Sequence, residues 1–443
     1  MRRREFLGTA LSPLLRAADA AGFVTSETGL LKRVLVHTPG PEVRKGLGLG
    51  YGPVRFLGGA LPERMEAEHR QMVQALRGAG AEVLELVEVL DGAVVEARRA
   101  KVLETWLRGW APQLAPEHQR VTGAVLLGAA DEFVYRSNPE GLFAPLTDPV
   151  SSFYWTRDSA VMTPRGVMLC RFSNEARWVE STLARFAYEW SPALRRYPIV
   201  FDAAEEQLAM EGGDFLVADE KTLWMGVGNR SQEAAARRIA RKLNLDVVTV
   251  QLPSGAKTSV HSLFLHLDTV CTFVGPRTVL TLPYLFEKAY SGRDPLTRML
   301  SGLSQNPRAV AADIEKLASP LREMGKIRRY RAGSGEADTS IGDVKLVDWL
   351  RAEGYQVLFV GGTPPGADVE KHMAEVVLAE LRRQASNVFA VGPRRIVAYD
   401  GNTRTLAALR QGGIESLTFP GNELMRQNGG PHCLTQPLER SKA

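Results

Sequence analysis

The sequence predicts an α/β fold built from repeated strand–turn–strand–helix units set around an axis, with one helical segment inserted. Three observations predict it. Apolar hairpins recur in "DSAVMTPRGVMLCR" (158–171), "DFLVADEKTLWMGVG" (214–228), "DTVCTFVGPRTVLTL" (268–282) and "NVFAVGPRRIVAYD" (387–400). Each runs from an apolar strand through a polar or Gly/Pro turn into a second apolar strand. Several are followed by amphipathic helical stretches, such as 174–190 and 231–243. The spacing is also regular: 56 residues separate Asp158 from Asp214 and 54 separate Asp214 from Asp268, while Asp268 to Asn387 spans 119. Periods of that size belong to supersecondary units repeated around an axis.

In chain order, "RRREFLGTALSPLL" (2–15) opens with an arginine pair followed by Glu5, Phe6, Leu7 and a short apolar run. Small residues follow in 16–22, so residues 1–22 are expected to be a twin-arginine export signal, with a periplasmic or exported product. The apolar run is too short to cross a bilayer, and no stable membrane span is expected. "LKRVLVHTPG" (31–40) carries one strand, and 62–87 reads as a helix stopped near Gly78 and leading into a strand. The segment 91–110 then repeats apolar residues at helical spacing through Val94, Val95, Val102, Leu103, Trp106, Leu107 and Trp110. Pro112 stops it and 116–127 offers another helix, so residues 88–130 are expected to form the helical insertion.

The 443 residues, with 44% hydrophobic and 24% charged side chains, have an ordinary soluble composition. A net charge of +5 is spread along the chain. Its basic groups, "RRIARK" (237–242) and "GKIRRYR" (325–331), lack interleaved aromatics and read as solvated helix faces, so no nucleic-acid partner is expected. Three cysteines cannot all pair and none has metal-ligand spacing, so neither a disulfide framework nor a metal site is expected. Homo-oligomerisation is left open.

The same end of each unit carries a polar residue: Asp158, Glu211 with Asp214, His266 with Asp268, and Asn387. Four in register suggest a shared polar pocket. In an extended strand His266 and Asp268 would project from one face. The Gly-Gly after Glu211 allows a close backbone approach or a positive φ. Arg157 and Asp158 follow the aromatics of "FYW", which suit a flat cationic group. Cys433, in "NGGPHCLTQPL" (428–438), sits among poor core residues, and nucleophilic use of a thiol needs a base or a positive neighbour. A Cys–His–acid set needs only one acid. Further carboxylates would oppose ionisation of the thiol unless the substrate itself is cationic. A planar guanidinium fits, because it pairs bidentately with carboxylates. Each such pair is worth on the order of 4 kcal/mol before desolvation. No cofactor is called for.

The motifs "FYWTRD", "MEGGD", "HLDTV" and "GGPHC", in this order and after "SETGLLKRVLVHTPG" (26–40), resemble arginine deiminase and its relatives among guanidino-modifying enzymes. The resemblance runs from about residue 26 to the C-terminus. It implies a five-bladed, pseudo-symmetric α/β propeller of ββαβ units over residues 23–87 and 131–443, with 88–130 inserted. It implies a small-molecule guanidino substrate, L-arginine, converted to citrulline and ammonia. Cys433 would be the nucleophile that forms an amidino-cysteine, His266 the general acid and base, and Glu211 its support. Asp158 and Asp268 would grip the guanidinium, while Arg177 and Arg230 would bind the α-carboxylate. Two positions depart from the family pattern: Ser151-Ser152 where deiminases usually carry Pro-Asn, and Asn428 where they commonly carry arginine. An amidinotransferase or a dimethylarginine hydrolase on the same fold, and a non-catalytic guanidine-binding protein, are the alternative readings.

Overall fold

The computed structural model describes residues 23–49, 60–130, 136–137, 143–144, 147–255, 261–291, 294–303 and 318–442. The export signal expected at 1–22 lies outside the described residues. The chain forms a mixed α/β fold of small sheets, none closed on itself.

The four predicted hairpins are present, and each is extended in the same way. Ala160–Thr163 pairs antiparallel with Gly166–Leu169, the helix Trp178–Trp190 follows, and Ile199–Asp202 returns parallel to the second strand. Phe215–Val217, Thr222–Val227, the helix Glu233–Leu243 and Asp246–Gln251 repeat the order, and Ile327–Tyr330 adds an antiparallel fourth strand. Cys271–Gly275 and Thr278–Thr281 are joined by Gln356–Phe359, and Phe389–Gly392 and Arg395–Tyr399 by Glu415–Phe419. The remaining unit is assembled from both ends of the chain. Leu31–Val36 pairs antiparallel with Gln436–Arg440 and, after the helix Pro62–Gly78, parallel with Glu82–Glu85. The lone strand seen at 31–40 therefore finds its hairpin partner some four hundred residues away. Apart from these sheets, Arg136–Ser137 and Phe143–Ala144 form a two-stranded ribbon.

Local sequence explains the helices. In Glu233–Leu243 the residues Ala235, Ala236, Ile239, Ala240 and Leu243 are buried, whereas Arg237, Arg238, Arg241 and Lys242 are exposed. The basic run 237–242 is a solvated helix face, as expected. The second group, 325–331, is not helical: it forms the strand Ile327–Tyr330, with Ile327 and Tyr330 buried and Arg328 exposed. Glu233 in the first turn and Arg241 and Lys242 in the last complement the helix dipole, and Asn244 ends the helix in the left-handed region at φ 54°. The 91–110 periodicity resolves into two helices, Leu86–Arg99 and Leu103–Trp110, because Lys101 adopts a left-handed φ of 61° between them. A 3-10 turn at Pro112–Glu117 and a short helix at Gly123–Leu126 complete the segment. Its apolar face packs on the Trp178–Trp190 helix, with Trp106 stacked on Phe186 at 4.1 Å. Among the described residues no helix is long and apolar enough to cross a membrane.

Candidate active site

Each of the five larger sheets is entered through a short turn, and those turns converge. Thr156–Ser159 carries Asp158 into Ala160–Thr163. Glu211 precedes the turn Gly212–Asp214 and the strand Phe215–Val217. His266 precedes Leu267–Thr269, which holds Asp268 ahead of Cys271–Gly275. Asn387 precedes Phe389–Gly392, and Cys433 precedes Gln436–Arg440. The register of polar residues in the sequence is the register of these strand entries.

One expectation is corrected here. His266 and Asp268 do not share a strand face, because His266 is the extended residue at the entry of a 3-10 turn, Leu267–Thr269, and Asp268 lies within that turn. The tighter rotation per residue sends the two side chains to different partners. His266 Nε2 lies 2.9 Å from Glu211 Oε2, and its Nδ1 lies 3.8 Å from Asp158 Oδ1. Asp268 instead turns toward the thiol, with Oδ2 3.4 Å from Cys433 Sγ and 3.0 Å from His432 Nδ1.

The glycines after Glu211 make this packing feasible by close approach, not by positive φ. A Cβ on Gly212 would lie 2.0 Å from the Arg157 carbonyl oxygen, and one on Gly213 would lie 2.7 Å from His266 Nδ1. Both are distances no side chain tolerates.

All the candidate groups except Arg230 are buried. Cys433 is 4% exposed, Asp158 and His266 3%, and Glu211 and Asp268 0%. Glu211 Oε1 accepts from the Ser173 backbone N–H at 2.9 Å and its hydroxyl at 2.8 Å, while Arg230 Nη1 reaches Oε2 at 3.2 Å. Burial works to raise the Glu211 carboxyl, but Arg230, His266 and Arg177 outweigh it and hold it well below the ordinary range. Burial likewise opposes a charge on His266, yet Asp158, Glu211 and Asp214 push its pKa up to about 9. Burial raises Asp214 to about 7. The Cys433 thiol is pushed well above its ordinary value by burial and then by Asp268 and Asp158.

Arg177 and Arg230, expected to bind a substrate carboxylate, are each paired with buried carboxylates of the protein itself. Arg177 donates to Asp158 Oδ2 at 2.9 Å and forms a two-pronged pair with Glu180 at 2.8 and 2.7 Å, its guanidinium 4.0 Å from the centre of the Phe172 ring. Ser152, one of the two departures from the family pattern, donates to Glu180 Oε1 at 2.6 Å. A cavity of about 460 Å³ opens beside this chain of contacts, lined by Ser152, Glu175 and Glu180 together with Trp110 of the helical segment. At the other departure, Asn428 takes a left-handed φ of 60° just ahead of Gly429, whose Cα is pressed against the Trp155 indole.

Two carboxylate oxygens at the centre, Asp158 Oδ1 and Asp268 Oδ1, are buried and accept no hydrogen bond from any described residue. Acceptors left in this way are costly unless a donor is brought to them. Asp158, Glu211 and His266 each place a donor atom within 4.8 Å of the others, close enough for a metal ion. The same carboxylates favour the proton on His266, which a metal ion would have to displace. The cluster suits an organic cation that brings its own N–H donors.

Sequence reasoning left several participants without a role. Glu180 lies one helical turn after Arg177, a spacing that could have marked it as the partner. Glu27, which stands in the opening motif, is held down to about 2: burial opposes its charge, but Arg157 and His432 prevail. No local signal marks that contact, because Glu27 and His432 are brought together only by the first and last strands pairing.

The arginine deiminase family model matches residues 137–440. An arginine deiminase from Mycobacterium avium is 28% identical over 451 residues, spanning 94% of this chain and 97% of that relative. One from Clostridium perfringens is 26% identical over 454 residues, spanning 95% and 98%. Among solved structures, the product-bound N-terminal domain of ArgZ, an arginine dihydrolase from cyanobacteria, is similar with a TM-score of 0.50 and 15% identity, covering 93% of this chain and 97% of that one. That likeness concerns the fold alone. The family match and the relatives, which align along nearly their whole lengths, agree: the chain belongs to the arginine deiminase family.

Proposed function

We propose that the protein hydrolyses L-arginine to citrulline and ammonia, with Cys433 as the nucleophile. The observation that carries this reading is the pair of unsatisfied carboxylate oxygens, Asp158 Oδ1 and Asp268 Oδ1, set beside a thiol in a buried site. A guanidinium between them supplies the missing N–H donors and offsets the carboxylates that keep the thiol protonated. Substrate binding thereby favours the thiolate at the moment it is needed. The names of the relatives support arginine as that guanidino compound.

Once the bound guanidinium has driven the Cys433 proton off to solvent, the thiolate adds to the guanidinium carbon, and His266, charged at neutral pH, gives its proton to the departing nitrogen. The C–N bond breaks and ammonia leaves an amidino-cysteine. His266, now neutral, takes a proton from a water that attacks the same carbon. The S–C bond then breaks, returning the sulfur as thiolate, and the added hydroxyl loses its proton to the released ammonia, giving citrulline and ammonium. Glu211 orients the imidazole through its 2.9 Å contact and stabilises the imidazolium.

In the same reading the five larger sheets are blades around an axis through the site, and 88–130 is an insertion that walls one side of it. Residues 1–22 act as a twin-arginine signal, which N-terminal sequencing of the mature protein tests: an intact Met1 in a cytoplasmic fraction overturns it.

The catalytic test is incubation with arginine, agmatine, methylated arginines and arginine plus glycine, following ureido product and ammonia. Citrulline with ammonia from arginine is expected. Guanidinoacetate with ornithine would move the reaction to amidino transfer, and binding without turnover would favour a guanidine receptor. Cys433→Ser should lower kcat by at least ~10³-fold with the fold retained. Activity surviving that change would remove Cys433 as nucleophile.

A further inference from the structure

Asn387 is the fourth polar residue in the sequence register, and the reaction as written leaves it unused. It is fully buried, and its side-chain hydrogen bonds all go to Cys433 and Asp268. Nδ2 donates to Cys433 Sγ at 3.1 Å and to the Asp268 backbone oxygen at 3.1 Å. Oδ1 accepts from the Cys433 backbone N–H at 3.1 Å, and the Asn387 carbonyl accepts from the His432 N–H at 3.3 Å. A Cβ on Gly430 would fall 2.7 Å from Asn387 Cβ, so the 430–433 turn lies directly against this residue.

This geometry separates two tasks that one side chain performs with opposite ends. The acceptor end fixes the backbone of the turn that presents the sulfur. The donor end points an N–H at the sulfur itself, which also has the Asp268 carboxylate at 3.4 Å and the Gly430 backbone N–H as polar neighbours. An N–H donor bonds a thiolate more strongly than a thiol, by roughly the factor of two that separates charge-assisted from neutral hydrogen bonds. We propose that Asn387 is a positioning residue that aims Cys433 Sγ and favours its ionised form, offsetting part of the opposition from Asp268. The inference rests on Cys433 being the nucleophile.

The sulfur's surroundings make this contribution measurable. Asp268 and Asp158 oppose ionisation, as do the two buried phenols Tyr154 and Tyr399 when charged, while Arg157, His266 and His432 supply positive or titratable partners. Two uncharged donors also favour the ionised sulfur, the Gly430 backbone N–H and the Asn387 side chain, and Asn387→Ala removes the second without altering the charge count.

The test is the pH dependence of Cys433 alkylation by iodoacetamide, measured on the full chain with Cys170→Ala and Cys271→Ala as the common background, together with kcat and KM for arginine. Asn387→Ala is expected to move the alkylation midpoint upward by at least one pH unit. It should also lower kcat at least tenfold while KM stays within about threefold. Asn387→Asp keeps the acceptor for the Cys433 N–H and replaces the donor, and should lower kcat at neutral pH at least a hundredfold even though it retains the side chain's shape. A folded Asn387→Ala protein with an unchanged midpoint overturns the proposal and leaves Asn387 a purely structural clamp. Should Asn387→Ala fail to fold, wild-type kcat in Asn387→Asp overturns it equally. Neither result resembles failure of the hydrolase reading, which would appear as absence of turnover in the wild-type chain.

Discussion

His266 and His69 are both buried, and the protein pushes them in opposite directions. His69 lies under the first sheet, in the Pro62–Gly78 helix, with Nδ1 3.1 Å from the Thr38 hydroxyl and Nε2 without a hydrogen-bond partner among the described residues. Among the described residues no carboxylate pairs with it, so burial, with help from His37 and Arg70, holds it neutral down to about pH 3. His266 suffers the same burial, but Asp158, Glu211 and Asp214 surround it and keep it charged to about pH 9. Burial alone therefore makes an inert histidine. A proton donor needs carboxylates in the same enclosure, and their cost is tolerated where the chemistry requires it.

Four experiments would break or sharpen that contrast. The largest effect belongs to His266→Asn, which should lower kcat by about 10²- to 10⁴-fold, whereas His69→Asn should leave kcat nearly unchanged. Steady-state kinetics with arginine decide it, and equal losses in both would erase the distinction.

Next is the ion pair that completes the acid cluster. Removing Arg177 as Arg177→Met strands Glu180, which is 0% exposed, beside Asp158. Denaturant unfolding should show a loss of about 3–5 kcal/mol.

The pH dependence of stability comes third. The His266 pKa is raised from the ordinary 6.5 to about 9, so its contribution is fully present below about 6.5 and disappears as pH rises through 9. The His69 pKa is lowered to about 3, so the unfolded chain binds the extra proton and stability falls as pH drops from about 6.5 toward 3. Melting temperatures from pH 4 to 10 should show His266→Asn flattening the alkaline limb and His69→Asn the acid limb, each by roughly 2–4 kcal/mol.

The smallest effect is expected outside both enclosures. The exposed Arg70–Glu66 pair, at 2.7 Å on the solvent face of the His69 helix, should cost no more than about 0.5 kcal/mol when Arg70 becomes alanine. A larger loss there would mean that solvent screening has been overstated.

Much of the site was legible because its residues sit where local rules put them. Asp158, Glu211, Asp268 and Asn387 each precede an apolar strand, and a hairpin leaves its signature within fifteen residues or so. The Gly-Gly after Glu211 could be read as a close approach, and a Cβ at Gly213 would meet His266. What failed was the backbone between His266 and Asp268. A three-residue 3-10 turn and the start of a strand look alike in an apolar run, and only the hydrogen bonding of the turn separates them. The state of Arg177 was likewise invisible: a helix-start arginine carries the same letters whether solvated or locked between Asp158 and Glu180.

By itself the sequence determined the units, their order, the polar residue at each entry and, through its motifs, the family. Those are short-range properties, set by side-chain periodicity and turn chemistry within a few dozen residues. The tertiary structure alone decided which of those residues meet. Pairing of Leu31–Val36 with Gln436–Arg440 brings the two ends of the chain together, placing Glu27 near His432 and Cys433 beside Asp268. Charge interactions fall off with distance through space and are indifferent to distance along the chain. The protonation states on which the chemistry turns were thus settled only once the sheets had converged.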